Sequence, residues 1–242
     1  MRIVTICSLL IVWQVTVSVF APQDLPSISQ VLSSLHWHTV HGDLLINTGK
    51  TLLRVFIAFS CAMLIGSVIG MCMGGNEIVD DIGDGLLVIL LNIPALVIII
   101  LAYIWIGLVE AAAIGAVVIN KIPTLVVAVR EGARVIDRQL IEVAQVYKLP
   151  WWRYIRAVYL PQLYPYLIAG ARNGLSLIWK IVLVVELLGR SDGVGFALHN
   201  LFQFFDIAGI LAYTFVFIAV IFLVESLIFR PFDKVIQRGR YG

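Results

Sequence analysis

Apolar positions along the chain come in long uninterrupted blocks rather than in the stripes of a water-soluble amphipathic fold. Uncharged runs cover residues 3–23, 55–76, 85–109 and 207–224, and about 20 apolar residues suffice for a helix to cross a hydrocarbon core of about 30 Å. The pattern predicts six membrane-spanning helices, at 3–20, 52–73, 86–107, 111–129, 163–189 and 207–229. Charge falls inside the later ones: Lys121 interrupts the fourth, Arg172, Lys180 and Glu186 lie in the fifth, and the sixth is clean until Glu225. Residues 27–41 alternate polar and apolar and predict a short interfacial helix anchored by Trp37. The first block follows Met1-Arg2 and ends near Ala21, as a secretory leader does, yet its apolar stretch is long for one, so a retained helix is expected.

Composition removes the soluble alternatives. Only 13% of residues are charged and 61% are hydrophobic, whereas a soluble domain spends about a quarter of its residues on charge. A net charge of +2 gives no warrant for nucleic-acid binding, and the high hydrophobicity excludes disorder. The three cysteines, Cys7, Cys61 and Cys72, are odd in number and sit in apolar runs, so they read as packing residues rather than a disulfide framework.

Short cytoplasmic segments carry the excess of Lys and Arg. Residues 130–161 hold Arg130, Arg134, Arg138, Lys148, Arg153 and Arg156; the tail holds Arg230, Lys234, Arg238 and Arg240; with Arg2 these make eleven of the seventeen basic residues. That side reads as the cytoplasm, which puts both termini inside and residues 21–50 and 190–206 outside. Residues 74–85 fall on the inner side by this count although they carry Glu77, Asp80, Asp81 and Asp84 and no base.

Catalytic chemistry is thinly represented. His36, His38 and His41 lie within six residues and would suit a transition metal if they converged. Only Asp43 joins them at ligand spacing, and polar aromatics in an interfacial loop account for them more simply. No Walker-type phosphate loop, Gly-x-Ser-x-Gly or His-Glu-x-x-His is present, so no enzyme is expected and any nucleotide chemistry belongs to another chain.

Charges inside spans are informative because each one facing lipid costs about 3 kcal/mol on insertion scales. Lys121, Arg172, Lys180 and Glu186 must therefore face protein or water. Helical spacing puts Arg172 and Glu186 on one face of the fifth span, Asn173 and Lys180 on a neighbouring one, and Glu110 and Lys121 on one face of the fourth. Two readings follow: Glu186 neutralises a lysine or arginine and holds spans together, or Lys121 or Lys180 lines a passage and attracts an anion. A self-sufficient channel or ion-coupled carrier would use the same charges as its ion path.

Between spans four and five, apolar residues at helical spacing over 130–147, a break at Leu149-Pro150, a second short helix around 151–158 and a stop at Leu160-Pro161 describe a basic helical hairpin suited to a groove in a partner protein. Here the chain resembles the membrane subunit of ABC-type importers, the binding-protein-dependent permeases. Their signature reads Glu-Ala-Ala, three residues, Gly, nine residues, then Ile-x-Leu-Pro. Glu142, Ala144, Val158, Leu160 and Pro161 fall in register; Val143 departs, and Lys148 stands at the Gly position, with Pro150 two residues on to supply the break. Trp105-Ile106-Gly107 with Glu110, Pro165 after Leu160-Pro161, Glu186-Leu187-Leu188 and Gly193-Val194-Gly195 resemble the nitrate, sulfonate and taurine branch.

The resemblance implies an all-α integral membrane protein in a bacterial inner membrane. It divides the chain into a first helix with an external loop (1–43), a permease domain (44–238) and a tail (239–242). It further implies no cofactor in this chain, ATP hydrolysed by partner ABC ATPase subunits, a second permease copy, an external substrate-binding protein and a small anionic solute. Glu142, Ala144, Lys148, Val158, Leu160 and Pro161 would couple to the ATPase. Glu110, Lys121, Arg172, Lys180 and Glu186 are the candidates for the pathway or for pairing within the membrane.

Overall fold

A computed structural model describes residues 2–20 and 25–239. The junction expected at Ala21 and all but the first residue of the 239–242 tail lie outside the described residues. All regular structure among the described residues is helical: α1 (Arg2–Phe20), α2 (Ile28–Val40), α3 (Leu44–Gly75), α4 (Glu77–Asn92), α5 (Ala95–Ile106), α6 (Glu110–Arg134), α7 (Arg138–Val146), α8 (Trp151–Tyr154), a π-helical turn (Ile155–Tyr159), α9 (Leu160–Gly189), α10 (Val194–Gln203) and α11 (Ile207–Gly239). Among the described residues, four helical stretches are long and apolar enough to cross a membrane: α3, α6, the stretch Trp151–Gly189 and Ile207–Leu227 of α11. The pair α4 and α5 makes a fifth if counted as one bent span.

The core is a three-helix arrangement of α3, α6 and α9, and α3 explains why it is tight. Ala58, Ala62, Gly66, Gly70 and Gly74 recur every fourth residue on one face of α3. A Cβ added at Gly66 would lie 2.8 Å from Leu125 Cβ, one at Gly70 2.8 Å from the Val126 carbonyl, and one at Gly74 2.5 Å from Ala133 Cβ. Small residues at this spacing let two membrane helices approach backbone to backbone, where packing rather than water exclusion drives association. Gly170 and Gly174 of α9 face α6 less tightly, an added Cβ lying 3.3 Å from the Ala128 side chain and 3.1 Å from that of Leu125. Around this core pack α5, α10 and the first half of α11, with Tyr103 Oη donating to the Val185 carbonyl at 2.9 Å and the Trp179 ring set edge-on to Phe217.

Three expectations are corrected. The third span is not one straight helix over 86–107: α4 and α5 meet at 93°, because Pro94 forces Ile93 into extended backbone (φ −75°, ψ 123°). Residues 74–85 are not a loop, since α4 begins at Glu77, capped by Asn76 Oδ1 accepting from Ile78 N–H and Val79 N–H. Leu160-Pro161 does not stop the second helix of the hairpin. The preceding turn widens instead, with Leu160 N–H donating to the carbonyl of Ile155 five residues back, and α9 continues through Pro161 and Pro165. A proline lacks the N–H that a regular turn would use and its ring crowds the preceding turn, so a locally wider helix accommodates it.

Two smaller differences are local. The helix expected over 130–147 is split at residues 135–137, where Asp137 Oδ1 accepts from Gln139 N–H and starts α7 afresh. The stretch 190–206 contains a helix, α10. The short helix expected over 27–41 is found as α2, opened by a capping box in which Ser27 and Gln30 exchange side-chain and backbone bonds.

Candidate functional site

Two regions gather the residues singled out from the sequence, one at each end of the α3–α6–α9 core. At the end carrying Arg130 and Arg134, the chain leaves the bundle as the α7–α8 hairpin. Its turn is a Schellman motif: Lys148 N–H donates to the Gln145 carbonyl and Leu149 N–H to the Ala144 carbonyl, at 2.9 and 3.0 Å. Lys148 occupies the left-handed position of that motif at φ 49°, where glycine carries no steric cost. The sharp turn is therefore made at Lys148 itself, and Pro150 caps α8.

Along α7, Ala144 is buried against the second arm while Glu142 and Lys148 are exposed. Val158 and Leu160 are half-buried in the π-turn and the start of α9, and Pro161 is exposed. Glu142 has no ion-pair partner among the described residues. A cleft lined by Ile141, Ala144, Gln145, Leu149, Trp151 and Tyr154 opens between the two arms.

The acidic residues that sat oddly on the basic side find their partners here. Arg130 pairs with Asp80 at 3.3 Å and Asp84 at 2.6 Å, Arg134 pairs with Asp80, and Glu131 lies 3.2 and 3.0 Å from the two arginines. These pairs fasten α4 to the end of α6.

The opposite end holds a buried charge cluster centred on Arg54 of α3, 2% exposed. Its Nε donates to Glu110 Oε1 at 2.6 Å, its Nη1 to Glu186 Oε1 at 2.8 Å and to the Asp192 carbonyl at 2.9 Å, and its Nη2 to Glu110 Oε2 at 3.1 Å and to the Asp192 carboxylate. Glu186 is fully buried, and Thr51 Oγ1 and Gly195 N–H also donate to it at 2.9 and 2.8 Å. A buried carboxylate demands such complete satisfaction because the interior supplies no water. Gly193, at φ 104°, lets the backbone reach it: a Cβ there would lie 2.3 Å from the Glu186 carboxyl carbon.

Arg190 adds a second cation to Glu110 at 2.8 Å, and Lys50 lies 3.9 Å from Asp192. Three bases thus face three acids. Asp192 lies in the α9–α10 connection, outside the apolar helices. Burial works to raise its carboxyl, but the bond from Arg54 and the charges of Arg54, Lys50 and Arg190 outweigh that and hold it below the ordinary range.

The structure brings Glu110 and Glu186 together through Arg54 and leaves Lys121, Arg172 and Lys180 out of the cluster. Lys121 is buried on α6 with no ion-pair partner among the described residues. Arg172 and Lys180 are exposed on α9 and line a groove with Ser176, Trp179, Phe217 of α11 and Glu225. Sequence spacing put Arg172 and Glu186 on one face, but their surroundings differ: α3 and α10 bury Glu186, and the α9–α11 groove leaves Arg172 open. Arg54, Asp192 and Arg190 were missed, since each stands at the margin of an apolar run, where a charge reads as interfacial. The available signal was phase: Arg54 lies four residues before Ala58, on the small-residue face of α3. Among the described residues no three His, Cys, Asp or Glu converge as metal ligands.

Comparison with known proteins agrees with this architecture. Over 231 residues the chain is 26% identical to the putative aliphatic sulfonates transport permease protein SsuC of Bacillus subtilis, covering 95% of this chain and 83% of that one. Over 209 residues it is 28% identical to the nitrate import permease protein NrtB of Synechocystis, covering 83% and 76%. The fold is similar to a chain of the methionine ABC transporter MetNI in an inward-facing form, with a TM-score of 0.67 at 16% identity over 81% of this chain and 95% of that one. Residues 62–239 match the family described as binding-protein-dependent transport system inner membrane component. More than half of the chain carries that match, and the protein belongs to this family of ABC transporter permeases, transport subunits that are not themselves enzymes.

Proposed function

We propose that this chain forms, with a second copy of itself, the passage of an ATP-driven importer in a bacterial inner membrane, receiving a small anion from an external binding protein. Nitrate, aliphatic sulfonates and taurine, the solutes in the names of relatives, share compact anionic oxygens, which is why an anion is the favoured class. In this reading six spans are α1, α3, the bent pair α4–α5, α6, α9 and α11, with both termini on the cytoplasmic side where Lys and Arg accumulate. Residues 44–238 are the permease unit, 1–43 add the first helix and an external segment, and 239–242 form the tail.

The observation that carries the reading is the α7–α8 hairpin, which leaves the basic end of the core with the Glu142 carboxylate exposed and a cleft behind it. It is the docking element for partner ATPase subunits, which hydrolyse the ATP; this chain needs no cofactor. Glu142 would pair with a base of the ATPase, Ala144 and Lys148 set the shape of the first arm, and Val158, Leu160 and Pro161 join the second arm to α9. Glu142→Ala should release the ATPase or uncouple uptake without changing membrane insertion. Undiminished uptake together with full recovery of the complex would refute the assignment.

A second observation supports the passage. Asn173, Ser176 and Lys180 are exposed along one side of α9 together with Arg172, and a charge turned to lipid at mid-helix is disfavoured by about 3 kcal/mol. This side faces the second copy across a watery passage. Lys180→Met should lower uptake while leaving the yield of assembled complex unchanged.

A further inference from the structure

Gln162, the residue directly after the Leu160-Pro161 pair, makes two hydrogen bonds that cross the junction between the hairpin and the membrane helix. Its Nε2 donates to the Val158 carbonyl at 2.9 Å, inside the π-turn. Its Oε1 accepts from the backbone N–H of Asp137 at 2.9 Å, the residue that caps α7.

The position of these bonds matters because the backbone is weakest there. Pro161 has no N–H to give to the preceding turn, and the π-turn replaces a regular turn at the same point. Between α6 and α7 the chain breaks at residues 135–137. Without Gln162 the backbone links from the hairpin to α6 and to α9 would run through two irregular stretches with no side chain bonding one to the other, each able to absorb a displacement. A side chain that satisfies a carbonyl in one break and an amide in the other ties both breaks to a single point on α9.

We propose that Gln162 is the positioning residue that makes a displacement of α7 move α9 rather than bend the junction. The proposal rests on the reading of the hairpin as the ATPase docking element. Gln162 itself touches neither nucleotide nor solute. It acts by holding the start of α7 and the π-turn at fixed distances from the first turn of α9, whose exposed side runs on through Ala169 toward the proposed passage.

The test uses the full complex of this chain with its ATPase subunits in liposomes. Ala169→Cys serves as reporter in a background of Cys7→Ser, Cys61→Ser and Cys72→Ser, and the probe is a methanethiosulfonate reagent applied without nucleotide and with ATP plus vanadate. The parent is expected to react at different rates in the two conditions. Gln162→Leu, which removes both bonds, should shrink that difference on the order of tenfold, the scale of two lost hydrogen bonds, while ATPase recovery and basal hydrolysis stay at the parent level. Gln162→Glu keeps the acceptor for Asp137 N–H and should restore an intermediate difference.

A Gln162→Leu variant that reacts like the parent overturns the proposal. So does one that no longer retains the ATPase, since Gln162 would then be a brace for the docking surface alone. Failure of the parent itself to capture the ATPase would remove the docking reading, and the proposal with it.

Discussion

Arg54 and Glu186 lie 132 residues apart in sequence and meet at 2.8 Å, with side chains 3% and 0% exposed. A pair this deep gains little over an apolar substitute but leaves a charge stranded when one member is lost, at a cost of about 3–5 kcal/mol. Arg54→Met and Glu186→Met should therefore each lower the thermal midpoint of the purified protein sharply. The double variant Arg54→Met with Glu186→Met should fall by less than the sum of the two singles. Additive losses in that cycle would mean that the two residues stabilise the fold independently.

Acid should act on the same cluster through Asp192. Its carboxyl is held below the ordinary range, against the pull of burial, by Arg54 and the neighbouring positive charges. A carboxyl depressed in the folded state contributes stability that is complete above its unfolded value of about 3.9 and is lost as pH falls through the lower folded value. Asp192→Asn should be less stable than the parent at neutral pH, and the gap should begin to close only as pH falls below about 4. Thermal midpoints measured across that range in detergent check this, and a constant gap would point to some other origin of the difference.

Lys148 holds a left-handed backbone conformation at φ 49° that costs an L-residue with a Cβ about 1 kcal/mol. Lys148→Gly should relieve this and protect the hairpin from proteolysis at 147–150, whereas Lys148→Val should expose it. Equal digestion rates for the three proteins would contradict the assignment of strain to this residue.

Two glycines of α3 should respond in opposite directions. A Cβ at Gly49 meets nothing within 4 Å, so Gly49→Ala should stabilise by about 0.5–1 kcal/mol through helix propensity. At Gly70 the added carbon lies 2.8 Å from both the Val126 carbonyl and Val129 Cβ, and Gly70→Ala should destabilise by about 1–3 kcal/mol through overpacking. Thermal midpoints of the two variants, compared with the parent, give the sign directly.

The apolar blocks and the hairpin were legible in the sequence because both are local: hydrocarbon thickness sets block length, and Pro150 with the surrounding amphipathic stretches sets the hairpin. The bend at Pro94 was equally local but was masked by the uncharged run through it. Passage of the helix through Pro161 was not legible, because a π-turn is a tertiary accommodation with no sequence period of its own. Among the site residues, Glu110 and Glu186 stood out as acids in or beside apolar helices. Their partner Arg54 did not, since a charge near the start of a span looks like an interfacial residue until α10 closes over it.

Glycine and alanine have no side-chain rotamers to lose, so the face of α3 formed by Ala58, Ala62, Gly66, Gly70 and Gly74 can join α6 without a cost in side-chain entropy on its own side. That favours an order of assembly. Once both helices are in the bilayer, α3 and α6 can pair first, and their pairing sets Arg54 beside Glu110 before α9 has docked. The later helix then brings Glu186 to a guanidinium already in place, so its carboxylate need not wait in hydrocarbon for a partner.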